Sequence, residues 1–307
     1  MQQTSARTIY RTMSAANAQH LSFAQSNFSK SGASGLYDRA RPRYPAPAVQ
    51  HITYLLTPSA PGLVVELGPG TGIFSRMLLA EGKGRIKKLL AVEPAEGMRQ
   101  GFMNNLEGSG VEPPKSGIQV EVVDGTFDKI PAGDASVDLV VAAQAFHWSN
   151  DGVAAIKEIG RVLKPGGKVA LIWNLESRKT QWVAQLRDTY EVVRNFFKLS
   201  DPLGRTILYR LGLWKAMFNS PEYLDAFSGH AEHTTYELPV EGTEELVVDR
   251  ALSKSYVTNL AQEEKDKVVK EIRAIVKRGD GKIWIDEEKG TFEYPYETDL
   301  YVMTKKT

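Results

Sequence analysis

The chain contains no cysteine among its 307 residues. Disulfides, cysteine nucleophiles and thiolate metal sites are therefore excluded, and the lack of disulfides fits a reducing compartment such as the cytoplasm. No apolar run approaches the roughly 20 residues of a membrane-spanning helix, so we expect no membrane span. The formal net charge is only +1. A general nucleic-acid-binding surface needs a strong basic excess, so no nucleic-acid partner is expected.

Acidic side chains are absent from the first thirty residues, which do contain Arg7, Arg11 and many Ser, Thr and Ala residues. This is the composition of a mitochondrial transit peptide, which makes a mitochondrial location an alternative to the cytoplasmic one. The stretch is nevertheless poor in leucine and has only these two arginines, which favours a flexible polar arm.

Strand and helix patterns alternate between residues 62 and 173. The predicted strands are 63–65, 88–93, 118–124, 137–143 and 168–173, and the predicted helices are 73–80, 94–105 and 151–163. Such alternation predicts an α/β fold with helices on both faces of a parallel sheet. Ligands bind such sheets beyond the carboxyl ends of the strands.

The pattern changes after residue 173. We predict helices at 180–198, 244–252 and 262–277, strands at 231–240 and 291–304, and an extended loop at 109–117. The strand at 291–304 suits a final antiparallel strand. These segments divide the chain into an arm (1–45), an α/β core (46–176), a helical cap (177–235) and a C-terminal part that completes the sheet (236–307).

The most informative stretch is V-V-E-L-G-P-G-T-G at residues 64–72, which predicts a strand, a glycine turn and the start of a helix. Glycine allows a positive φ and a close approach of the backbone to a ligand, and the helix start offers unpaired N–H groups. The dinucleotide fingerprint requires a third glycine three residues after the second. Here Gly72 follows Gly70 by two residues and Ile73 occupies the fingerprint position, which argues against an NAD-type oxidoreductase.

Several motifs together resemble the class I S-adenosylmethionine (SAM)-dependent methyltransferases. E-L-G-P-G-T-G at 66–72 resembles the first motif of that family, A-V-E-P at 91–94 the second, V-D-G-T-F at 123–127 the adenine-contact segment, and L-K-P-G-G-K-V at 163–169 the turn into strand five. Y-D-R-A-R-P-R-Y-P at 37–45 and A-F-H-W at 145–148 are similar to the small-molecule branch that includes trans-aconitate methyltransferases. The resemblance extends from about residue 37 to the end and is weak over 177–235.

This resemblance implies a Rossmann-like, doubly wound sheet of seven mostly parallel strands with an antiparallel last strand, plus a helical cap. It implies SAM as the cofactor and a small molecule as the methyl acceptor, and it leaves the oligomeric state open. The implied cofactor-binding residues are Tyr37, Glu66, Gly68, Gly70, Gly72, Glu93, Pro94, Asp124, Gly125, Thr126, Phe127 and Gln144.

Individual roles follow from the same resemblance. Glu66 would face the ammonium group of SAM, directly or through water. Glu93 would accept the ribose hydroxyls, the alternatives being a helix N-cap or a solvated acid. Asp124 would accept from the adenine amine, the alternative being a turn cap formed with Gly125.

His147 is the catalytic candidate, because histidine titrates near neutral pH and could take a proton from the acceptor. It could equally bind the cofactor or pack structurally beside Trp148. The segment 37–45 is predicted to be a lid, with Tyr37 on the methionine end of SAM, or else a surface arm. The candidate acceptor-binding residues are Arg39, Arg41, Tyr44, Trp148 and Trp173.

No metal site is predicted, since His230 and His233 lack a clear third ligand. A SAM-binding protein without turnover stays open as an alternative function. Nucleic-acid and protein-glutamine methyltransferases carry N/D-P-P-Y/F after strand four, whereas this chain has A-Q-A-F-H-W at 143–148.

Overall fold

The structure is a computed structural model that describes residues 40–149, 151–196, 213–258 and 260–307. Tyr37 and Arg39 lie outside the described residues, as does the acid-free N-terminal stretch. The cytoplasmic and mitochondrial locations therefore both stay predictions. Within the described ranges, no helix combines the length and the hydrophobicity that crossing a bilayer requires.

Within the described ranges, ten strands form two sheets. They are β1 (Gly62–Leu67), β2 (Ile86–Val92), β3 (Gln119–Val123), β4 (Val137–Ala143), β5 (Leu163–Glu176), β6 (Phe227–Leu238), β7 (Glu241–Gly242), β8 (Trp284–Asp286), β9 (Thr291–Glu293) and β10 (Tyr296–Lys305). The seven-stranded sheet has the order β3-β2-β1-β4-β5-β10-β6. Strands β1 to β5 pair in parallel, whereas β10 is antiparallel to both β5 and β6. The predicted Rossmann-like fold with an antiparallel last strand is confirmed.

Ten α-helices accompany the strands in the described residues. They are α1 (Ala46–Tyr54), α2 (Ile73–Glu81), α3 (Glu96–Leu106), α4 (Pro113–Ser116), α5 (Gly152–Val162), α6 (Gln181–Phe196), α7 (Pro221–Ala226), α8 (Glu244–Leu252), α9 (Ser255–Thr258) and α10 (Gln262–Arg278). Two 3₁₀ helices cover Phe146–Trp148 and Leu213–Asn219.

Both faces of the parallel sheet are buried, because successive strand residues point to opposite faces and each face carries helices. Val65 of β1 packs in the core under α5, while its neighbour Val64 packs under α1 and α2. Helix α5 starts where Asp151 accepts hydrogen bonds from the N–H groups of Val153 and Ala154, which is an N-cap arrangement.

A third hydrophobic core lies among α6, α8, α10 and the small sheet β7-β9-β8. Of the predicted part 236–307, β10 and the last three residues of β6 complete the large sheet, whereas α8, α10 and the small sheet build this third core. The edge strand β6 begins at Phe227, inside the predicted cap of 177–235. The alternation of side chains in the sequence predicted the strand β6, but it did not show at which residue the strand begins to pair with β10.

Two local predictions are wrong. The strand expected over 291–304 is divided into β9 and β10, which belong to different sheets. Pro295 lies between them and has no N–H to donate to a ladder, while its carbonyl accepts from the N–H of Ser177. The loop expected over 109–117 contains the helical turn α4, because proline is well suited to the first positions of a helix.

Candidate functional site

The glycine turn follows β1 at the carboxyl edge of the sheet. Gly68, Gly70 and Gly72 have φ values of 68°, 57° and 81°, a region that disfavours other residues. A Cβ on Gly68 would lie 2.8 Å from the Cβ of Ala145, and one on Gly72 would lie 2.9 Å from the ring of Phe102. A Cβ on Gly70 would meet nothing within 4 Å. Gly68 and Gly72 therefore permit close packing, whereas Gly70 borders open space that a ligand can enter.

Glu66 lies fully buried at the end of β1. The hydroxyl of Ser75 donates to its Oε2 at 2.6 Å, whereas its buried Oε1 has no hydrogen-bond partner among the described residues. Burial raises the pKa of Glu66 from 4.5 to about 7, although the Ser75 hydrogen bond and the charge of Arg76 oppose this rise. A buried carboxylate oxygen without a partner is costly, and an ammonium ligand would relieve that cost. The residues present thus fit the ammonium group of SAM.

Glu93 follows β2 and is almost completely buried. Its Oε2 accepts from the N–H of Gly70 at 3.2 Å and its Oε1 from the N–H of Ala95 at 2.9 Å. Burial raises the pKa of Glu93 even though both hydrogen bonds oppose the rise. The solvated alternative is therefore wrong, and the carboxylate does bind the chain just before α3. A carboxylate has about four acceptor positions, which leaves capacity for two ligand hydroxyls.

Helix α3 begins at Glu96, two residues after the predicted start at Pro94. The Glu93 carboxylate accepts from the N–H of Ala95, whose backbone is extended, and the helix therefore begins only after Ala95. Pro94 lies in the connection between the acid and the helix, and its carbonyl accepts from Nη1 of Arg99 at 2.9 Å.

The segment after β3 lies beside the same edge. The Asp124 side chain is 76% exposed, with Nη1 of Arg99 at 3.5 Å. The hydroxyl of Thr126 donates to Oδ1 of Asp128 at 2.6 Å. The half-buried ring of Phe127 packs edge-on against Phe146 at 5.8 Å. Asp124 is thus accessible to a ligand.

Gly125 packs closely in this segment, since a Cβ on it would lie 2.7 Å from Cγ1 of Val92. Its backbone therefore lies against β2, and this keeps Asp124 at the carboxyl edge of the sheet, where Glu93 also lies.

The loop after β4 begins with Gln144 in the left-handed region, at φ 53°. Its N–H donates to the carbonyl of Ile172 at 2.8 Å, and its Nε2 donates to the carbonyl of Asn174 at 2.6 Å. The side-chain NH₂ of this predicted cofactor-contact residue therefore helps to hold the loop against β5.

His147 is buried, and its Nδ1 lies 3.2 Å from Nε1 of Trp173. Tryptophan can only donate, so Nδ1 is the acceptor and the neutral ring carries its proton on Nε2. In this tautomer the basic lone pair points at Trp173. The arrangement suits His147 as a hydrogen-bond donor better than as a general base.

The candidate acceptor-binding aromatics differ in their burial. Trp173 is fully buried, with its ring 4.7 Å from that of Trp214 and 6.1 Å from that of Tyr301. Trp173 therefore contacts the site by its hydrogen bond to His147 and does not form an exposed wall of a pocket. The half-buried ring of Trp148 lies 5.4 Å from the His147 ring.

The described part of the arm is held on α2 and the C-terminal helices. Tyr44 is buried, its ring meets Phe74 edge-on at 5.0 Å, and its N–H lies 3.4 Å from Sδ of Met77. Tyr44 therefore anchors the arm. Nη2 of Arg41 lies 3.4 Å from the carbonyl of Ser253.

Two residues of the site were missed from the sequence. Ser75 bonds Glu66 from α2. Asn174 on β5 donates to the carbonyl of Arg43 at 3.1 Å and accepts from the hydroxyl of Thr298 at 2.7 Å. A buried amide within an apolar strand was the available signal, because such a group requires partners.

No group of three or more His, Cys, Asp or Glu side chains converges in the described part of the chain. His233 instead pairs with Asp299, with 2.9 Å between Nε2 and Oδ1.

Comparisons with known proteins agree with this geometry. The model of the methyltransferase domain family matches residues 65–171. The uncharacterized methyltransferase Rv3342 of Mycobacterium tuberculosis is 34% identical over 172 residues, which are 55% of this chain and 63% of that protein. The methyltransferase-like protein C25B8.10 of Schizosaccharomyces pombe is 32% identical over 250 residues, which are 78% of this chain and 83% of that protein.

A solved structure shares the fold. It is a candidate type II methyltransferase from Anaeromyxobacter dehalogenans, with a TM-score of 0.58 and 18% identity over 85% of this chain and 97% of that one. Three observations point to the same family. They are the match to the family model, the S. pombe relative that is covered over most of its length, and the order of the seven strands. The chain belongs to the class I SAM-dependent methyltransferases.

Proposed function

We propose that this protein transfers a methyl group from SAM to an oxygen of a carboxylate or hydroxyl group on a small molecule. The observation that supports this most strongly is the buried Oε1 of Glu66, which has no partner in the described residues. It lies beside a glycine turn that borders open space. When bound, SAM would supply an electrophilic methyl group on its sulfonium.

Different side chains of this protein would bind different parts of SAM. Glu66 would accept from the ammonium group, Glu93 from the ribose hydroxyls, and the exposed Asp124 from the adenine amine. Apart from Tyr37 and Gln144, the remaining predicted contacts would pack on the cofactor through backbone and apolar atoms. These are Gly68, Gly70, Gly72, Pro94, Gly125, Thr126 and Phe127.

A carboxylate oxygen is the favoured acceptor, because the described residues place no general base at the site and Nδ1 of His147 accepts from Trp173. A carboxylate is already a nucleophile at neutral pH, and in-line positioning supplies much of the rate of such a transfer. Arg41 stays a candidate for binding a carboxylate acceptor, because a guanidinium binds a carboxylate through paired, charge-assisted hydrogen bonds.

Replacing Gly70 tests the cofactor position directly. Gly70→Ala puts a methyl group into the open space beside the turn and should weaken SAM binding about tenfold or more, by overpacking. Gly84→Ala is a matched control, since Gly84 has φ 74° and nothing within 4 Å of its Cβ position. It lies at the amino end of β2, away from the site. Both variants should lose about 1 kcal/mol of stability, and calorimetry should show weaker SAM binding only for Gly70→Ala. Equal SAM affinities would contradict this placement.

The role of His147 is tested by His147→Gln. Because Nδ1 accepts from Trp173, we expect kcat to stay within about tenfold and the pH profile to keep its shape. Removal of a true general base costs about 100-fold or more. Such a loss, together with disappearance of the acid limb of the pH profile, would establish His147 as the base.

The overall proposal is tested in two steps. Calorimetry should show SAM binding, and a screen of small acids, phenols and amines should then yield S-adenosylhomocysteine with a carboxylate or hydroxyl compound. No SAM binding at millimolar concentration would refute the proposal. SAM binding without turnover on any acceptor would favour the regulatory alternative, and turnover on amines alone would refute the oxygen acceptor.

A further inference from the structure

Ser75 is the third residue of α2, and its side chain is fully buried. A serine hydroxyl in a helix often bonds to the backbone of its own helix. The Ser75 hydroxyl instead donates to a different element, at 2.6 Å from Oε2 of Glu66 at the end of β1. The helix that follows the glycine turn therefore contacts the buried carboxylate through this side chain.

This hydrogen bond distinguishes the two oxygens of Glu66. Oε2 accepts from the Ser75 hydroxyl, whereas the buried Oε1 has no hydrogen-bond partner among the described residues. The last torsion of a glutamate side chain is broad and roughly two-fold, so it does not by itself fix the plane of the carboxylate. The Ser75 hydroxyl fixes that plane and leaves Oε1 to accept from a ligand.

The surroundings of Glu66 favour its neutral form, and Ser75 opposes them. Burial raises the pKa of Glu66 to about 7, and the negative charge of Glu93 after the neighbouring strand β2 adds to the rise. The Ser75 hydrogen bond is the strongest influence in the opposite direction, followed by the charge of Arg76 on α2. On its other side Glu66 pairs with the uncharged Val141 of β4. A donor to a carboxylate stabilises the ionised form.

We propose that Ser75 is a positioning residue for the methyl donor: its hydroxyl keeps the Glu66 carboxylate ionised and directs Oε1 toward the ammonium group of SAM. This inference rests on the role proposed above for Glu66 in binding SAM. Without the hydroxyl, neither carboxylate oxygen would have a hydrogen bond from the described residues. Glu66 would then hold its proton more tightly and would have to release it before an ammonium group could bind.

Ser75→Ala should weaken SAM binding about tenfold at pH 6 and only about twofold at pH 8, because a hydrogen bond to a charged group is worth at least about a factor of ten in an equilibrium constant. The pH at which SAM binding becomes strong should rise by about one unit. At pH 6 the variant carries this full penalty, and ionisation of Glu66 removes most of it as the pH rises. Calorimetric titration of the full chain with SAM at both pH values measures the difference.

Two further variants separate this role from a purely structural one. Ser75→Thr keeps the hydroxyl and should bind SAM like wild type. Ser116→Ala is the matched control, because the buried hydroxyl of Ser116 accepts from the N–H of Ile118 at 3.2 Å. That bond lies before the amino end of β3, away from the site. This control also removes a buried hydrogen bond, and its SAM affinity should stay at the wild-type value at both pH values.

Thermal melts without SAM report on Ser75 and Glu66 alone. Because the pKa of Glu66 is raised in the folded chain, stability falls as pH rises toward that pKa. In Ser75→Ala this fall should continue to a pH about one unit higher than in wild type. In a Glu66→Gln background, Ser75→Ala should not alter the pH dependence of stability, since the titrating group is absent.

Equal SAM affinities of Ser75→Ala and wild type, or a loss of the same size at pH 6 and pH 8, would overturn the inference. A Ser75→Thr variant that melts like wild type but binds SAM as weakly as Ser75→Ala would also overturn it. If Ser75→Thr does not fold, the pH dependence of the Ser75→Ala loss decides alone. If wild type binds no SAM, the proposed function fails, and the melts still show whether Ser75 controls the ionisation of Glu66.

Discussion

Glu66→Gln should make the ligand-free protein more stable than wild type at pH 8 but not at pH 5. The same substitution should weaken SAM binding about 100-fold. Burial raises the pKa of Glu66 from 4.5 to about 7. Between pH 4.5 and pH 7 the unfolded chain has released the Glu66 proton that the folded chain retains, so wild-type stability falls as pH rises. This loss of stability amounts to about 3 kcal/mol and is complete above pH 7. Because glutamine stays neutral, the variant does not lose this stability.

SAM binding should respond in the opposite direction. The ammonium group of SAM needs an ionised Glu66, so wild-type affinity should fall as pH drops below about 7. Removing one partner of a buried charge pair costs about 2–5 kcal/mol, which corresponds to the expected 100-fold loss.

The measurements are thermal melts and calorimetric SAM titrations at pH 5 and pH 8. Glu81→Gln serves as the control, because Glu81 is an exposed acid on the neighbouring helix α2. This variant should change neither the pH dependence of stability nor SAM affinity. Parallel pH profiles for wild type and Glu66→Gln would show that Glu66 is not the titrating buried group.

Asn174→Asp should lose about 3 kcal/mol of stability at pH 8 and recover most of it at pH 5. Asn174 donates from Nδ2 to the carbonyl of Arg43 and accepts at Oδ1 from Thr298. An ionised carboxylate keeps the second contact but puts an oxygen against the Arg43 carbonyl, and a buried unpaired charge is costly. A protonated carboxyl has an O–H that can donate to the Arg43 carbonyl in place of the amide. Since burial raises the pKa of such a carboxyl, the loss should appear as pH rises.

Thr298→Val is the control for this experiment. It removes only the contact to Oδ1 and has no titratable group, so its loss of about 1–2 kcal/mol should not depend on pH. Urea unfolding of both variants at the two pH values provides the test. A pH-independent loss in Asn174→Asp would show that the bond to Arg43 contributes little.

Sequence reasoning did not show how deeply the candidate residues are buried. Tyr44 and Trp173 were predicted to bind the acceptor, and the structure places both in buried packing contacts. Residue type alone does not separate a core aromatic from a pocket aromatic, because both are large and apolar. Asn174 was missed because its partners, Arg43 and Thr298, lie 131 and 124 residues away in the chain. The division of 291–304 between two sheets depends likewise on which distant strands pair with each half.

The sequence by itself determined the family, the alternation that builds the parallel sheet, and the positions of Glu66, Glu93 and the three glycines at its carboxyl edge. These features are local, since strand periodicity, a glycine turn and an acid at a strand end are each specified within a few residues. The tertiary structure alone decided which polar atoms have partners. It left Oε1 of Glu66 without one in the described residues, directed Trp173 at Nδ1 of His147, and brought the hydroxyl of Ser75 to Oε2 of Glu66. Hydrogen bonding and burial depend on chain segments that are distant in sequence, and only the folded chain brings these segments together.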